Sequence, residues 1–223
     1  MQFSKRLDRF GDEIFAALNN RRMELEAQGM KIYNMSVGTP DFKTPEYIKK
    51  AVAEAAMDDN NWKYSLRDLP ELLDAVCIYY KKRFDVNLTP DMVMTVYGSQ
   101  EGMGHLGMAL CDEEDVVLLP DPCYPVFGDG PQIAGAQLYY MPLKKENNYI
   151  IQLQDIPEEV AKKAKLMVVS YPNNPTTAMA PAEFYKDLVA FAKKYDIIVL
   201  HDNAYSELVF DGNTCGSFLS YPG

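Results

Sequence analysis

From Thr89 onward, short runs of β-forming residues alternate with segments of helical spacing. The pattern predicts strands at 93–97, 116–119, 137–141, 166–170 and 197–200, and helices at 101–110, 126–134, 157–163 and 182–195. Such alternation favours a mainly parallel sheet with helices on both faces, because a crossover between parallel strands usually runs through a helix. The expected fold class is therefore α/β, with three αβα layers.

The chain before Thr89 has the pattern of helices joined by polar loops. Apolar residues at helical spacing predict an amphipathic helix over about residues 5–28. A short strand and a Gly/Pro turn at 35–42 precede a helix that starts with Pro45 at its first position and runs to about residue 57. Asp68 and Glu71 have capping-box spacing before a helical run at 72–84.

Composition restricts the partners and the compartment. The 223 residues suffice for one α/β domain or two small ones, and a net charge of −10 without a Lys/Arg-rich tract argues against nucleic acid or an anionic membrane as partner. The four cysteines lack metal-site spacing, so we expect free thiols and no metal site. With no secretory signal and no apolar run of ~20 residues, the expected location is cytoplasmic.

The last predicted strand ends in a group of polar residues. His201 and Asp202 follow the apolar run 197–200, and Tyr205 comes three residues later. The carboxyl edge of an open α/β sheet is where ligands bind. Asp202 could hold a cationic ring nitrogen while Tyr205 reaches the same ligand. Alternatively, Asp202 caps the next turn and Tyr205 packs on the core.

The segment 98–102, Gly-Ser-Gln-Glu-Gly, lies between a predicted strand and a predicted helix. Free N–H groups at a helix start, with the hydroxyl of Ser99 beside them, suit a phosphate; a tight turn with a serine cap is the alternative. Met103 replaces the lysine of a P-loop, and the GxGxxG spacing is broken. A nucleotide-binding dehydrogenase is therefore a distant alternative.

Two further loops end predicted strands. Prolines bracket Tyr124 and fix its ring, which could stack on a planar ligand or simply pack in the loop. Asn174 could donate an amide hydrogen to the same ligand or build an Asx-turn. If the strands are parallel neighbours, these residues together suit a pyridine ring that carries a phosphate and a phenolic oxygen.

The chain resembles the fold-type I, pyridoxal-phosphate-dependent aminotransferases of class I/II, the aspartate aminotransferase superfamily, and within it the LL-diaminopimelate aminotransferase-like members. The resemblance lies in the ordered segments 38–42, 98–102, 120–125, 171–176 and 201–205 and extends over nearly the whole chain. It implies amino-group transfer between an amino acid and a 2-oxo acid, pyridoxal 5′-phosphate as cofactor, and a homodimer or higher oligomer.

The resemblance also implies a role for each candidate site residue. Asp202 would hold the protonated pyridine nitrogen, Tyr124 would stack on the ring, and Asn174 and Tyr205 would contact the phenolic oxygen. The phosphate contacts would come from Ser99, Gln100 and, in the partner subunit's site, Tyr64. The backbone of Gly38 would contact the substrate carboxylate.

The sequence departs from the family pattern at its end. The Schiff-base lysine of the family lies in a segment after residue 205 that is not found before Gly223, so no catalytic residue is assigned. We expect an N-terminal helix and arm segment at 1–44, an incomplete cofactor-binding large domain at 45–223 and no C-terminal small domain. The chain would then be an inactive N-terminal fragment of a truncated or split enzyme.

Other readings stay open at this point. One is a non-catalytic protein of the same fold that binds pyridoxal phosphate or a partner; another is a carbon–sulfur lyase or decarboxylase using that cofactor. Without its family neighbours, the strand at 93–97 would expose an apolar edge, and we expect a rearranged or oligomeric structure to cover it. Thr177 and Asp68 replace glycines common in the family.

Overall fold

The computed structural model describes residues 2–11, 14–35, 38 and 42–223. Within this part of the chain there are seven α-helices and four β-strands. The helices are α1 (Ile14–Ala27), α2 (Glu46–Ala56), α3 (Pro70–Phe84), α4 (Ser99–Leu110), α5 (Val126–Ala134), α6 (Glu158–Ala161) and α7 (Ala182–Tyr195). The strands are β1 (Val116–Asp121), β2 (Gln137–Pro142), β3 (Ala164–Ser170) and β4 (Ile198–Asp202).

The chain divides into two compact units, one of residues 8–67 and one of residues 1–7 with 68–223. In the 8–67 unit, the short 3₁₀ turn Asp59–Trp62 folds back on α2. The Trp62 indole N–H donates to the Ala56 carbonyl at 2.9 Å and the Asn61 amide to the Ala55 carbonyl at 2.8 Å. These bonds satisfy carbonyls that the end of α2 leaves without helical partners. The boundary expected between residues 44 and 45 stays a prediction.

The larger unit is built on a parallel sheet of strand order β2-β1-β3-β4. Alternate residues of β1 enter two separate cores: Leu118 joins a cluster with Leu188 of α7, and Val117 joins a cluster with Phe127 of α5. Both strand residues have no exposed surface. Because β1 is apolar at successive positions, both faces of the sheet are buried. The predicted three-layer α/β fold is confirmed.

Close packing between α4 and α5 depends on glycine. A Cβ at Gly130 would lie 2.0 Å from the Gly104 carbonyl oxygen, and one at Gly107 would lie 2.4 Å from Pro131. No side chain fits at either position, so the two helix backbones can approach each other directly. This contact fixes the middle of α4 against the middle of α5.

Four sequence expectations were wrong in detail. Residues 93–97 form no strand, and Met94 and Tyr97 are 78% and 97% exposed. The helix expected at 5–28 is divided into a 3₁₀ turn at Lys5–Arg9 and α1, with non-helical residues 10 and 11 between them, because glycine at position 11 disfavours helix. The helix expected at 157–163 is the single turn α6.

The fourth error concerns the start of α3. No side chain caps this helix, whose N-cap residue is Leu69. Asp68 instead accepts hydrogen bonds from the Thr95 hydroxyl and from the Thr95 N–H, the latter at 3.2 Å. The predicted capping box is therefore wrong, because a partner 27 residues away satisfies the carboxylate.

Candidate functional site

The four parallel strands end at one edge of the sheet, and Asp202 lies there at the end of β4. It is paired in register with Ser170, the last residue of β3, whose hydroxyl donates to Asp202 Oδ2 at 3.2 Å. The Ala204 N–H donates to Oδ1 at 3.2 Å, so Asp202 does cap the turn that follows. Each carboxylate oxygen keeps a second lone pair, so this cap leaves Asp202 able to accept from a ligand.

Asn174 and Tyr205 line one cavity of about 540 Å³ beside this edge. Leu208 and Phe210 give it an apolar wall. In the described part of the chain, the Tyr205 hydroxyl has no hydrogen-bond partner and is free to donate to a ligand. The structure thus brings together two of the predicted site residues that lie 31 positions apart in the sequence.

The start of α4 presents Ser99 and Gln100 at the surface. Gly98 precedes them with φ of 89°, a backbone conformation that favours glycine. The Glu101 carboxylate accepts from the Tyr97 N–H at 2.6 Å and so stabilises the entry to the helix. The hydroxyl of Ser99 makes no hydrogen bond to a described residue, so the serine-cap alternative is wrong here.

Tyr124 follows β1 and is hydrogen-bonded to the start of α4. The Gln100 side-chain amide donates to the Tyr124 hydroxyl, and the Tyr124 ring packs edge-on against Phe127 with centroids 6.0 Å apart. The phosphate-cradle segment and the stacking ring predicted from separate motifs are therefore neighbours. The hydrogen bond to the hydroxyl and the ring contact with Phe127 together restrict the orientation of Tyr124.

The two remaining predicted site residues, Tyr64 and Gly38, both belong to the 8–67 unit. Tyr64 is 89% exposed. Gly38 is described, with nothing within 4 Å of a Cβ placed there, whereas 39–41 of the same motif lie outside the described residues. The roles of Tyr64 and Gly38 stay predictions.

Sequence reasoning missed Ser170, which orients the Asp202 carboxylate. Its signal was a hydroxyl residue at the end of an otherwise apolar strand, a position that faces the site only if β3 and β4 are in register.

Cys123 lies near the same edge, but burial, with a smaller contribution from Asp121, raises the pKa of its thiol to about 11. The thiol is therefore protonated at neutral pH and does not act as a nucleophile.

Comparison with known proteins identifies the family. Residues 30–220 match the family described as aminotransferase class I and II. The chain belongs to this family. Aminotransferase relatives include the LL-diaminopimelate aminotransferases of Aquifex aeolicus, 44% identical over 224 residues, and Dehalococcoides mccartyi, 41% identical over 225 residues. Each comparison covers 100% of this chain and 58% of the relative.

The structural comparison agrees with this aminotransferase assignment. A structure described as a probable N-succinyldiaminopimelate aminotransferase from Thermus thermophilus matches with a TM-score of 0.87 and 32% identity, covering 95% of this chain and 57% of that chain. The chain thus spans a little over half the length of the relatives it matches. The resemblance drawn from the sequence motifs is confirmed.

Class I and II aminotransferases depend on pyridoxal 5′-phosphate, and the side chains at this edge fit that group. A carboxylate with open lone pairs suits the ring nitrogen, and an unpartnered phenol beside an amide suits the phenolic oxygen. The helix start with its free hydroxyl suits the phosphate. The ring nitrogen, the phenolic oxygen and the phosphate of the cofactor each have a chemically matching side chain among these residues.

No helix in the described part of the chain is long and apolar enough to span a bilayer.

Proposed function

We propose that this chain is the cofactor-binding part of an aminotransferase that exchanges an amino group between an amino acid and a 2-oxo acid. The observation that carries the proposal is the Asp202 carboxylate at the carboxyl edge of the sheet, oriented by Ser170 on the adjacent strand and three residues before Tyr205, which lines a cavity together with Asn174. When bound, pyridoxal phosphate supplies an electron sink for the electron pair left when a proton leaves the substrate Cα.

The described residues would hold the cofactor by distinct interactions. Asp202 would accept from the ring N–H and keep the ring cationic, and Tyr124 would lie against the ring face. Asn174 and Tyr205 would donate to the phenolic oxygen. Ser99 and Gln100, at the positive end of α4, would bind the phosphate.

The substrate proposal stays at the level of the chemical class. The relatives include enzymes described for LL-diaminopimelate and for N-succinyldiaminopimelate, which differ at the group distant from the reacting carbon. We propose further that the protein is a cytoplasmic homodimer in which Tyr64 reaches the phosphate in the partner subunit's site and Gly38 contacts the substrate carboxylate. Light scattering of the purified chain, with and without the cofactor, tests the dimer.

Covalent attachment is not expected in this chain. Among the described residues that line the cavity of Asn174 and Tyr205 there is no lysine. We therefore expect reversible cofactor binding and no transamination by this chain alone. This expectation favours the non-catalytic binding role as the second candidate function.

An absorbance titration of the purified chain with pyridoxal phosphate, followed by borohydride reduction and intact-mass analysis, tests the proposal. We expect saturable binding and no stoichiometric mass increase after reduction. Asp202→Asn should weaken binding at least about tenfold, because a hydrogen bond to a charged group contributes about 1.5–3 kcal/mol. Asp196→Asn is the matched control, since Asp196 lies at the other end of β4 in a left-handed cap that asparagine tolerates.

Equal binding by the wild type and Asp202→Asn, or no saturable binding by the wild type, would rule out the proposed cofactor site. A stoichiometric reduced adduct would instead show that a lysine of this chain takes the cofactor covalently. Transamination by the chain would then have to be measured directly with amino acid and 2-oxo acid pairs.

A further inference from the structure

The segment 203–214, which follows β4 and carries Tyr205, has little apolar anchoring. Leu208 and Phe210 are 60% and 73% exposed, although they line the cavity described above. Local hydrogen bonds fold the segment on itself, including Leu208 N–H to the Tyr205 carbonyl at 2.9 Å. Local bonds of this kind do not tie the segment to other elements, so its position depends on the contacts that it makes with them.

Glu207 makes that contact. Its Oε1 accepts from the Tyr79 hydroxyl at 2.8 Å and from the Arg83 Nε–H at 2.8 Å, and both donors belong to α3. Within the described part of the chain, these are the only hydrogen bonds that join residues 203–214 to a helix or strand other than the adjoining end of β4; the Asn203 side chain also accepts from Cys215, just after the segment. A carboxylate held by two donors on one helix has few allowed positions.

The charge distribution favours the same contact. The last turn of α3 carries Lys81, Lys82 and Arg83, which places Glu207 in a positive field. Its hydrogen bonds, first from Tyr79 and then from Arg83, lower the pKa of the Glu207 carboxyl, so it is ionised at neutral pH. The same contact raises the pKa of Tyr79, which keeps the proton that it donates.

We propose that Glu207 is a positioning residue for cofactor binding, and that its contact with Tyr79 and Arg83 fixes the Tyr205 phenol at the cavity of Asn174. Glu207 lies two residues beyond Tyr205 in the same turn, so holding its carboxylate restricts where the phenol points. Without the contact, Tyr205 would have to be ordered by the ligand, and that ordering lowers affinity. This inference rests on the proposed cofactor site.

A double-mutant cycle with pyridoxal phosphate as the probe tests the inference. Glu207→Ala is expected to raise the dissociation constant about fivefold, the effect of about one hydrogen bond, and Tyr205→Phe to raise it by a similar factor. Because Glu207 acts through the Tyr205 hydroxyl, the double variant should bind no more weakly than Tyr205→Phe alone. Multiplied effects in the double variant, or unchanged binding by Glu207→Ala, would overturn the inference.

Two comparison variants separate positioning from general loss of structure. Glu207→Gln keeps an oxygen that accepts both hydrogen bonds and should restore most of the affinity lost in Glu207→Ala. Glu183→Ala removes an exposed acid of α7 that pairs with Lys186, and it should bind like the wild type. Failure of the glutamine variant to recover any affinity would count against a hydrogen-bonding role.

Amide hydrogen exchange provides a readout that does not need the cofactor. In Glu207→Ala, exchange of the Leu208 N–H should be faster than in the wild type, while core strand amides are unchanged. Faster exchange in a chain that does not bind pyridoxal phosphate would reject the proposed function and retain the contact as a structural one, which overturns the positioning role. Unchanged exchange at Leu208 would show that Glu207 does not fix the segment, whatever the binding result.

Discussion

Acid is expected to destabilise this chain through His201. Its imidazole lies within a group of aromatic rings, with Nε2 3.4 Å from the Tyr185 hydroxyl and ring centroids of Tyr185 and Phe218 at 5.6 and 6.0 Å. Burial lowers the pKa of His201 from 6.5 to about 4, and a hydrogen bond with the Tyr171 backbone opposes this only in part. The folded chain therefore keeps the imidazole neutral over a range in which the unfolded chain protonates it.

The two pKa values determine the size and the sign of the effect. Between pH 6.5 and about 4 the unfolded state binds one more proton at His201 than the folded state does, so stability falls as the pH falls through this range. From about one pH unit above 6.5 both states are neutral at this residue, and its contribution is constant. Linkage over these values gives a loss of about 2 kcal/mol in the free energy of unfolding between about pH 7.5 and pH 5.

Urea unfolding followed by circular dichroism at these two pH values measures the loss. His201→Phe keeps an apolar ring beside Tyr185 and removes the titrating group, so its free energy of unfolding should fall by about 2 kcal/mol less than that of the wild type. His105→Asn is the control, because His105 is the other histidine and its side chain is exposed on α4. Equal losses in the wild type and His201→Phe would refute the reasoning.

Three further substitutions, the first with a matched control, test the packing and the backbone conformation, each through the urea midpoint at neutral pH. Gly130→Ala should cost about 3 kcal/mol, since its Cβ would meet the Gly104 carbonyl at 2.0 Å, whereas Gly104→Ala meets open space and should be neutral or mildly stabilising; equal effects would contradict the helix contact. Tyr171→Phe should cost about 2 kcal/mol, because its hydroxyl accepts from the Ile151 N–H at 2.9 Å and donates to a carbonyl, and an unchanged midpoint would show that water replaces it. Thr177→Gly should stabilise by about 1 kcal/mol, because Thr177 has φ of 60°; a loss of stability would mean that the threonine side chain makes a compensating contact.

The helices of the α/β region could be predicted from the sequence where local signals agree. The structure gives α5 and α7 the predicted bounds, 126–134 and 182–195. Both end in residues with left-handed backbone, Gly135 and Asp196, which stop a helix regardless of its surroundings. The apolar runs of β1 and β3 were equally informative, because strands buried on both faces need continuous apolar sequence.

Elements that depend on a distant partner could not be predicted in the same way. The β-forming run at 93–97 has strand composition, but a strand exists only where a neighbour accepts its hydrogen bonds. Thr95 instead donates to Asp68, which removed the expected cap of α3 at the same time. The contact between Thr95 and Asp68 thus accounts for the wrong capping box, while the wrong strand lacks a pairing neighbour in the described part of the chain.

The residues of the candidate site also fall into two groups, those with a local sequence signal and those that depend on a distant partner. Asp202, Tyr124 and Asn174 could be selected because each follows closely after a predicted strand, and strand ends meet at one edge of a parallel sheet. Ser170 and Glu207 could not, because the first depends on the register of β3 with β4 and the second on a donor pair more than 120 residues earlier in the chain. The residues proposed to contact a ligand have local signals, whereas the residues that orient them have none.

The backbone conformation of Thr177 shows the energetic cost of a threonine at this position of the loop. The resemblance implies a glycine at this position, and Thr177 has a φ of 60°, which costs a β-branched residue about 1–2 kcal/mol. The Thr177 N–H donates to the Asn173 carbonyl at 2.7 Å, and the Asn173 side chain accepts from the N–H and hydroxyl of Thr176. These bonds impose the turn that presents Asn174 to the cavity, so the loop keeps its shape and Thr177 bears the strain. The substitution therefore changes stability at this position while leaving the geometry of the site residue intact.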